Sequence, residues 1–216
     1  KMIRGLIFDL DGVIVSTEKN HFLSWKKIAS SLGVVFTEKE NESLKGINRR
    51  DSLNIILELA NIRLSEVKIN HLLNKKNELY KYSLRNLNKL DILDGVEDLL
   101  LEAKNKNILL AIGSSSKNAS FILEKLKLTN YFNVIIDGTM VTKHKPSPEV
   151  FEKAANFMNL SPKECIVFED SASGVSAAKE GGFKVIGVGN ENIKLIADVY
   201  LNSMKEFNLS DYESVV

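Results

Sequence analysis

Two aspartates one residue apart close the first apolar run of the chain, in Leu6-Ile7-Phe8-Asp9-Leu10-Asp11-Gly12. A buried strand that ends in carboxylates and then turns at a glycine delivers anionic oxygens to the carboxyl edge of a sheet. That edge is where open α/β sheets bind ligands. One carboxylate there can attack as a nucleophile while the other moves protons. Three more segments follow strand-like runs. Gly113-Ser114-Ser115-Ser116-Lys117-Asn118 offers hydroxyls and backbone N–H groups at a helix start, which can seat an anion or simply cap the helix. Lys143-His144-Lys145-Pro146 holds Lys145 extended ahead of a proline, and such a lysine beside carboxylates can hold a phosphate and screen its charge. Phe168-Glu169-Asp170-Ser171 places adjacent acids at a strand end, where oxygen ligands bind a hard cation. Mg²⁺ suits a site with few carboxylates, because it keeps waters and takes a phosphate oxygen. Taken singly, these are a polar strand end, a cap, a solvated lysine and a surface acid pair. Taken in order, they are what phosphoryl transfer to an aspartate needs: a nucleophile, donors for the equatorial oxygens and positive charge between crowded anions.

The elements that must position these groups are legible from periodicity. Ile3 to Phe8 reads as a buried parallel strand. From Thr17 to about Leu87 the chain is polar and helical. Phe22, Trp25, Ile28, Ala29 and Leu32 recur at helical spacing up to Gly33. Leu53, Ile56, Leu57 and Ala60 repeat that spacing after Arg49, and a third helix runs from a Ser65 cap through Leu72, Leu73, Leu79 and Tyr80. Beyond Asp94-Gly95 strand and helix alternate. Strands are expected at Ile108–Gly113, Val134–Asp137, Ile166–Phe168, Val185–Val188 and near Val199. Helices are expected at Val96–Lys104, Asn118–Leu126, after Ser147 with Pro148 in the first position, and at Ala172–Glu180. This alternation predicts an α/β fold: a Rossmann-like parallel sheet core with helices on both faces. The core spans residues 1–16 and 88–216, and residues 17–87 form an inserted α-helical cap.

Bulk properties bound the rest. Lys+Arg 29 against Asp+Glu 28 offers no nucleic-acid or membrane signal, and for a neutral chain of this size a monomer is expected. No apolar run approaches the roughly 20 residues of a membrane span, and no secretory signal is apparent. Cys165 is the only cysteine, which fits a reducing, cytoplasmic setting, and its place at a strand start reads as a small buried hydrophobe. His71 and His144 read as solvated.

The four segments resemble, in order, the motifs of the haloacid dehalogenase superfamily: Asp9-x-Asp11, Ser114, Lys145 and Glu169-Asp170. Within it the chain is similar to the β-phosphoglucomutase-like group over nearly its whole length. The likeness includes Asp11-Gly12-Val13-Ile14, Thr17, His21-Phe22 and Trp25, then Leu44-Lys45-Gly46, Arg49, Asp51-Ser52-Leu53 and Lys76-Asn77. It continues with Ser116-Lys117-Asn118, Lys145-Pro146 and Glu169-Asp170-Ser171.

The resemblance implies that Asp9 becomes an aspartyl phosphate and Asp11 is the general acid/base. Mg²⁺ would be held by Asp9, the backbone carbonyl of Asp11, and Asp170, with Glu169 close by. Ser114 and Lys145 would seat the transferring phosphoryl group, and Arg49, Ser116, Lys117 and Asn118 a second phosphate. Gly46 and Trp25 would face substrate, although Trp25 also reads as cap core. Thr17, His21 and Lys76 would couple cap closure to Asp11. The implied activity interconverts β-D-glucose 1-phosphate and β-D-glucose 6-phosphate through β-glucose 1,6-bisphosphate. The alternative is a sugar-phosphate phosphatase in which water discharges Asp9. Two places depart from the group: Ser16 where an acid is common, and Gly138–Thr142.

Overall fold

The computed structural model describes residues 2–212. β1 (Gly5–Phe8), β2 (Leu109–Gly113), β3 (Val134–Ile136), β4 (Cys165–Glu169), β5 (Lys184–Val188) and β6 (Val199–Leu201) form one sheet in the order β3-β2-β1-β4-β5-β6. Every neighbouring pair is parallel. Four helices, α1 (Glu18–Ser31), α2 (Glu38–Glu42), α3 (Arg49–Leu59) and α4 (Glu66–Ser83), leave the sheet between β1 and β2. They are followed by α5 (Val96–Asn105), α6 (Ala119–Leu126), α7 (Glu149–Phe157) and α8 (Ala172–Glu180), which alternate with the strands.

Strand alternation sorts the core onto two faces. Leu6 and Phe8 point to the face covered by α5 and α6, where Leu99, Leu100, Ile122 and Leu123 pack. Ile7 points to the face covered by α7 and α8, with Phe151, Ala154, Val175 and Ala178. Phe8 stacks on Phe168 across the β1–β4 pair, ring centroids 4.8 Å apart. Fully burying side chains of this size contributes roughly 1.5–3 kcal/mol each. A one-residue slip of β1 would exchange the two sets, so packing fixes which residue follows Phe8 at the sheet edge. That residue is Asp9.

The helices between β1 and β2 carry a third apolar cluster, which includes Trp25, Ile28, Phe36, Leu53, Ile56 and Ile69. Tyr80 and Leu84, at the end of α4, join the sheet-side cluster instead. The elements expected from periodicity are present, with bounds shifted by a few residues. Pro148 lies one position before α7, because its carbonyl already accepts the first two helical N–H groups, from Phe151 and Glu152. The polar α2 has no apolar period to reveal it. It is nucleated by a capping box in which Thr37 and Glu40 bond each other's backbone and side chain. Among the described residues, no helix is long and apolar enough to cross a membrane.

Two glycines bring backbone against the site. Gly12 (φ +89°) lies where any Cβ would run into the Asp170 carboxylate. Gly46 (φ +71°) presses the loop after α2 onto the turn after β4, where a Cβ would strike the hydroxyls of Ser171 and Ser173.

Candidate active site

Connections leave β1 and β4 toward opposite edges of the sheet, so a crevice opens beyond their carboxyl ends. A cavity of about 320 Å³ lies there, lined by Asp9, Asp11, Ser114, His144 and Asp170 from the sheet side and by His21, Trp25, Gly46, Arg49 and Lys76 from the helical insert. Its size falls within the roughly 300–1,000 Å³ of small-molecule sites.

Lys145 is the hub of a buried charge cluster behind Asp9. Its ammonium is 2.5 Å from Asp9 Oδ1 and 2.6 Å from Glu169 Oε1, and it lies 4.6 Å from the centroid of the Phe151 ring. It is only 3 % exposed. Burial opposes its charge, but the carboxylates of Asp9 and Glu169 outweigh burial and hold its pKa above the ordinary lysine value. Asp9 shows the opposite balance. Burial pushes its pKa up to about 7, helped by Glu169 and Asp11 and opposed by Lys145. The pKa of Asp170 is also raised, by burial and then by Glu169 and Asp9. Lys145 thus pairs with two of three neighbouring carboxylates, and such an acid cluster can seat a cation.

The adjacent acids do different work. Glu169 Oε1 takes Lys145, and Oε2 accepts from the backbone N–H groups of Asp170 and Ser171 and from the Ser171 hydroxyl. Glu169 thereby holds Lys145 and the turn after β4 in place. The Asp170 carboxylate makes no hydrogen bond to any described residue and lines the cavity. No group of three or more His, Cys, Asp or Glu side chains converges on a metal position among the described residues. The free donors are therefore Asp9 and Asp170, few enough for Mg²⁺ with its waters.

Asp11 sits on a separate set of partners. Thr17 Oγ1 donates to its Oδ1, the Tyr80 hydroxyl approaches the same oxygen at 3.3 Å, and His21 Nε2 lies 3.8 Å from Oδ2. Burial alone would raise the Asp11 pKa, but the His21 imidazole and the Thr17 hydroxyl outweigh it, so Asp11 stays ionised. Lys76 Nζ is 2.8 Å from His21 Nδ1 and lies over the rings of Trp25 and Tyr80. Burial, then Arg49, lowers Lys76 to about 7. His21 is lowered by burial and by Lys76.

Arg49 at the start of α3 and Ser116, Lys117 and Asn118 before α6 line the same cavity and offer donors that can hold a second anion. Burial lowers the pKa of the Arg49 guanidinium, and no carboxylate among the described residues pairs with it. The segment before α6 is locally ordered: Ser114 Oγ accepts from Ser116 N at 3.1 Å, and Ser116 Oγ accepts from Asn118 N at 3.2 Å. Ser115 Oγ donates to the Gly46 carbonyl at 3.0 Å, so the helical insert touches the sheet side across the cavity.

The family model for haloacid dehalogenase-like hydrolase matches residues 6–188. The chain belongs to this family. The haloacid dehalogenase-like chain is 38 % identical to a β-phosphoglucomutase of Bacillus subtilis (strain 168) over 209 residues, covering 96 % of itself and 92 % of that protein. It is 33 % identical to a phosphorylated carbohydrates phosphatase of Thermotoga maritima, covering 85 % of itself and 84 % of that protein. Among solved structures it superposes on β-phosphoglucomutase from Clostridium difficile with a TM-score of 0.94, at 36 % identity, covering 97 % of this chain and 95 % of that one.

In this haloacid dehalogenase-like site, most residues singled out from sequence line one cavity, with Thr17 bonded to Asp11 and with Lys145 and Glu169 buried behind Asp9. Trp25 is 3 % exposed in the insert's apolar cluster and is also part of the cavity wall. His71 is exposed, but His144 is not a solvated side chain. It lines the cavity, and its Nδ1 is buried without a partner. Cys165 is fully buried and its thiol is pushed up to about 12, so it is inert. Asn77, Tyr80 and Ser115 carry polar contacts that spacing did not separate from helix packing and capping. Tyr80 stands one turn from Lys76, and that spacing is the signal that could have found it.

Proposed function

We propose that this chain is a phosphosugar mutase interconverting β-D-glucose 1-phosphate and β-D-glucose 6-phosphate through an aspartyl phosphate on Asp9 and β-glucose 1,6-bisphosphate. The observation that carries this reading is one cavity that holds two sets of anion-binding groups: Asp9 and Ser114, with Lys145 bonded to Asp9 behind them, and Arg49 with Ser116, Lys117 and Asn118. A sugar that must reverse in the site needs both.

An Asp9 oxygen forms the new bond to phosphorus as the bond from phosphorus to the sugar oxygen breaks. Lys145 and Ser114 hold the non-bridging oxygens. Asp11, ionised at rest, takes the proton of the sugar hydroxyl that attacks the Asp9 phosphate, and gives that proton to the sugar oxygen that departs when Asp9 is phosphorylated again. Thr17, Tyr80 and His21 hold Asp11 in place, and Lys76 ties that group to α4. Mg²⁺, held by Asp9, Asp170 and the Asp11 carbonyl, would neutralise the charge of the transferring group. The reading treats residues 17–87 as a cap that keeps water from the acyl phosphate while it is shut. It also takes the enzyme as a cytoplasmic monomer.

The test is to supply β-glucose 1-phosphate, Mg²⁺ and a bisphosphate primer and to assay glucose 6-phosphate and free phosphate together. Glucose 6-phosphate as the main product is expected, whereas free phosphate as the main product would replace the mutase with a phosphatase. Arg49→Ala separates the two as well. Loss of a charged hydrogen-bonding group should cut kcat/KM for the sugar phosphate about 10- to 100-fold. Hydrolysis of p-nitrophenyl phosphate, which has no second phosphate, should be unchanged.

The carboxylate excess also predicts a pH effect. The Asp9 pKa is raised to about 7, so the folded state keeps a proton that the unfolded chain releases. In chelator, the melting temperature should fall as pH rises from about 4 through about 7. Added Mg²⁺ should flatten that decline. A decline equally steep with and without Mg²⁺ would remove the metal from this cluster.

A further inference from the structure

Arg49 and Asn118 approach the distal phosphate seat from opposite sides of the cavity, and one side-chain oxygen joins them. Arg49 Nη2 donates to Asn77 Oδ1 at 2.8 Å, and Asn118 Nδ2 donates to the same oxygen at 3.0 Å. Asn77 lies on α4 next to Lys76, Arg49 opens α3, and Asn118 precedes α6, so three separate segments meet at this atom. A carboxamide oxygen has two lone pairs and accepts both bonds at once.

We infer that Asn77 is the positioning residue of the distal phosphate seat, holding the Arg49 guanidinium and the Asn118 amide at one point as the insert closes on the sheet. The inference rests on the mutase reading for the ligand, a sugar carrying a second phosphate, but not for the geometry. The donors that remain are the ones a phosphate needs. Arg49 spends one of its five N–H groups on Asn77 and has no carboxylate partner among the described residues. Asn118 keeps its second amide N–H, and its side chain is buried. Neutrality at position 77 matters too. An aspartate would have nearly the same shape and would hold Arg49 more tightly, but its charge would cancel Arg49 and repel a phosphate dianion.

The partition of function follows. Ligands that react at Asp9 without a second phosphate do not use Asn77, while sugar phosphates depend on it. Asn77 therefore acts on specificity through Arg49 and Asn118 and not on the chemical step.

The test compares Asn77→Ala, Asn77→Asp, Arg49→Ala and the Arg49→Ala/Asn77→Ala double variant. Asn77→Ala should raise KM for β-glucose 1-phosphate about tenfold with kcat little changed, the scale of one lost charged hydrogen bond. It should leave p-nitrophenyl phosphate hydrolysis unaltered. Asn77→Asp, which keeps the shape and folds as the parent does, should raise KM further. The double variant should lose less, relative to Arg49→Ala, than Asn77→Ala loses relative to the parent, because the part of Asn77 that acts through Arg49 is already gone. An additive double variant, or equal losses on both substrates, overturns the inference.

Calorimetry keeps this result separate from the fate of the mutase reading. In an Asp9→Asn background that cannot turn over, Asn77→Ala should weaken glucose 1,6-bisphosphate and leave inorganic phosphate untouched, whichever product the parent makes. Equal weakening of both, or of neither, sinks the role of Asn77.

Discussion

Asp9→Asn should abolish phosphoryl transfer to sugar and to water alike, with kcat down by at least about 10⁴-fold, the scale on which loss of a covalent nucleophile acts. The amide retains the shape of the carboxylate and an oxygen for Lys145 at 2.5 Å, and Lys145 stays paired with Glu169. The fold should therefore survive. In chelator its melting temperature should match or exceed that of the parent, because burial disfavours the Asp9 charge. Calorimetry and steady-state assays on one preparation check both halves. Residual turnover near the parent level would move the nucleophile elsewhere, and a collapsed fold would mean that the cluster needs the Asp9 charge itself.

Lys145→Ala carries the second large effect, on stability as much as on rate. It removes the ammonium that pairs with Asp9 and Glu169, and leaves Glu169 completely buried with no cation paired to it among the described residues. Removing one partner of a buried ion pair costs about 3–5 kcal/mol, well above the roughly 1 kcal/mol of an ordinary point mutant. Urea denaturation at neutral pH should show that loss. It should shrink on acidification, because the stranded carboxylates then take protons and lose the charge that burial penalises. A loss below about 1 kcal/mol, or one that is flat with pH, would contradict the paired cluster.

Much of this site is legible in sequence because the fold converts strand ends into neighbours. β1, β2 and β4 each run from a buried apolar stretch directly into Asp9, Ser114 and Glu169-Asp170, and parallel pairing collects those ends at one edge. What sequence did not separate is the division of labour between groups of one chemical type. Glu169 and Asp170 are both acids, yet successive side chains diverge at a strand end. Glu169 turns in to Lys145 and the local backbone, while Asp170 faces the cavity. His144 has the look of a solvated histidine until the turn before Lys145 brings it into the wall. Asn77 and Tyr80 are hidden for a different reason. They lie on a helix whose apolar period accounts for its packing, and the oxygens they meet belong to residues far away in the chain. Spacing finds faces of helices; it does not find which distant group a polar head will reach.

In the proposed cycle Asp9 takes a phosphoryl group and passes it to a sugar. Rapid quenching of enzyme, Mg²⁺ and β-glucose 1,6-bisphosphate, followed by peptide mapping, tests it most directly. The account predicts an acyl phosphate on the Asp9 peptide that disappears faster when β-glucose 1-phosphate is added than in buffer alone. A phosphoryl group on any other residue, or one that only water removes, would contradict it.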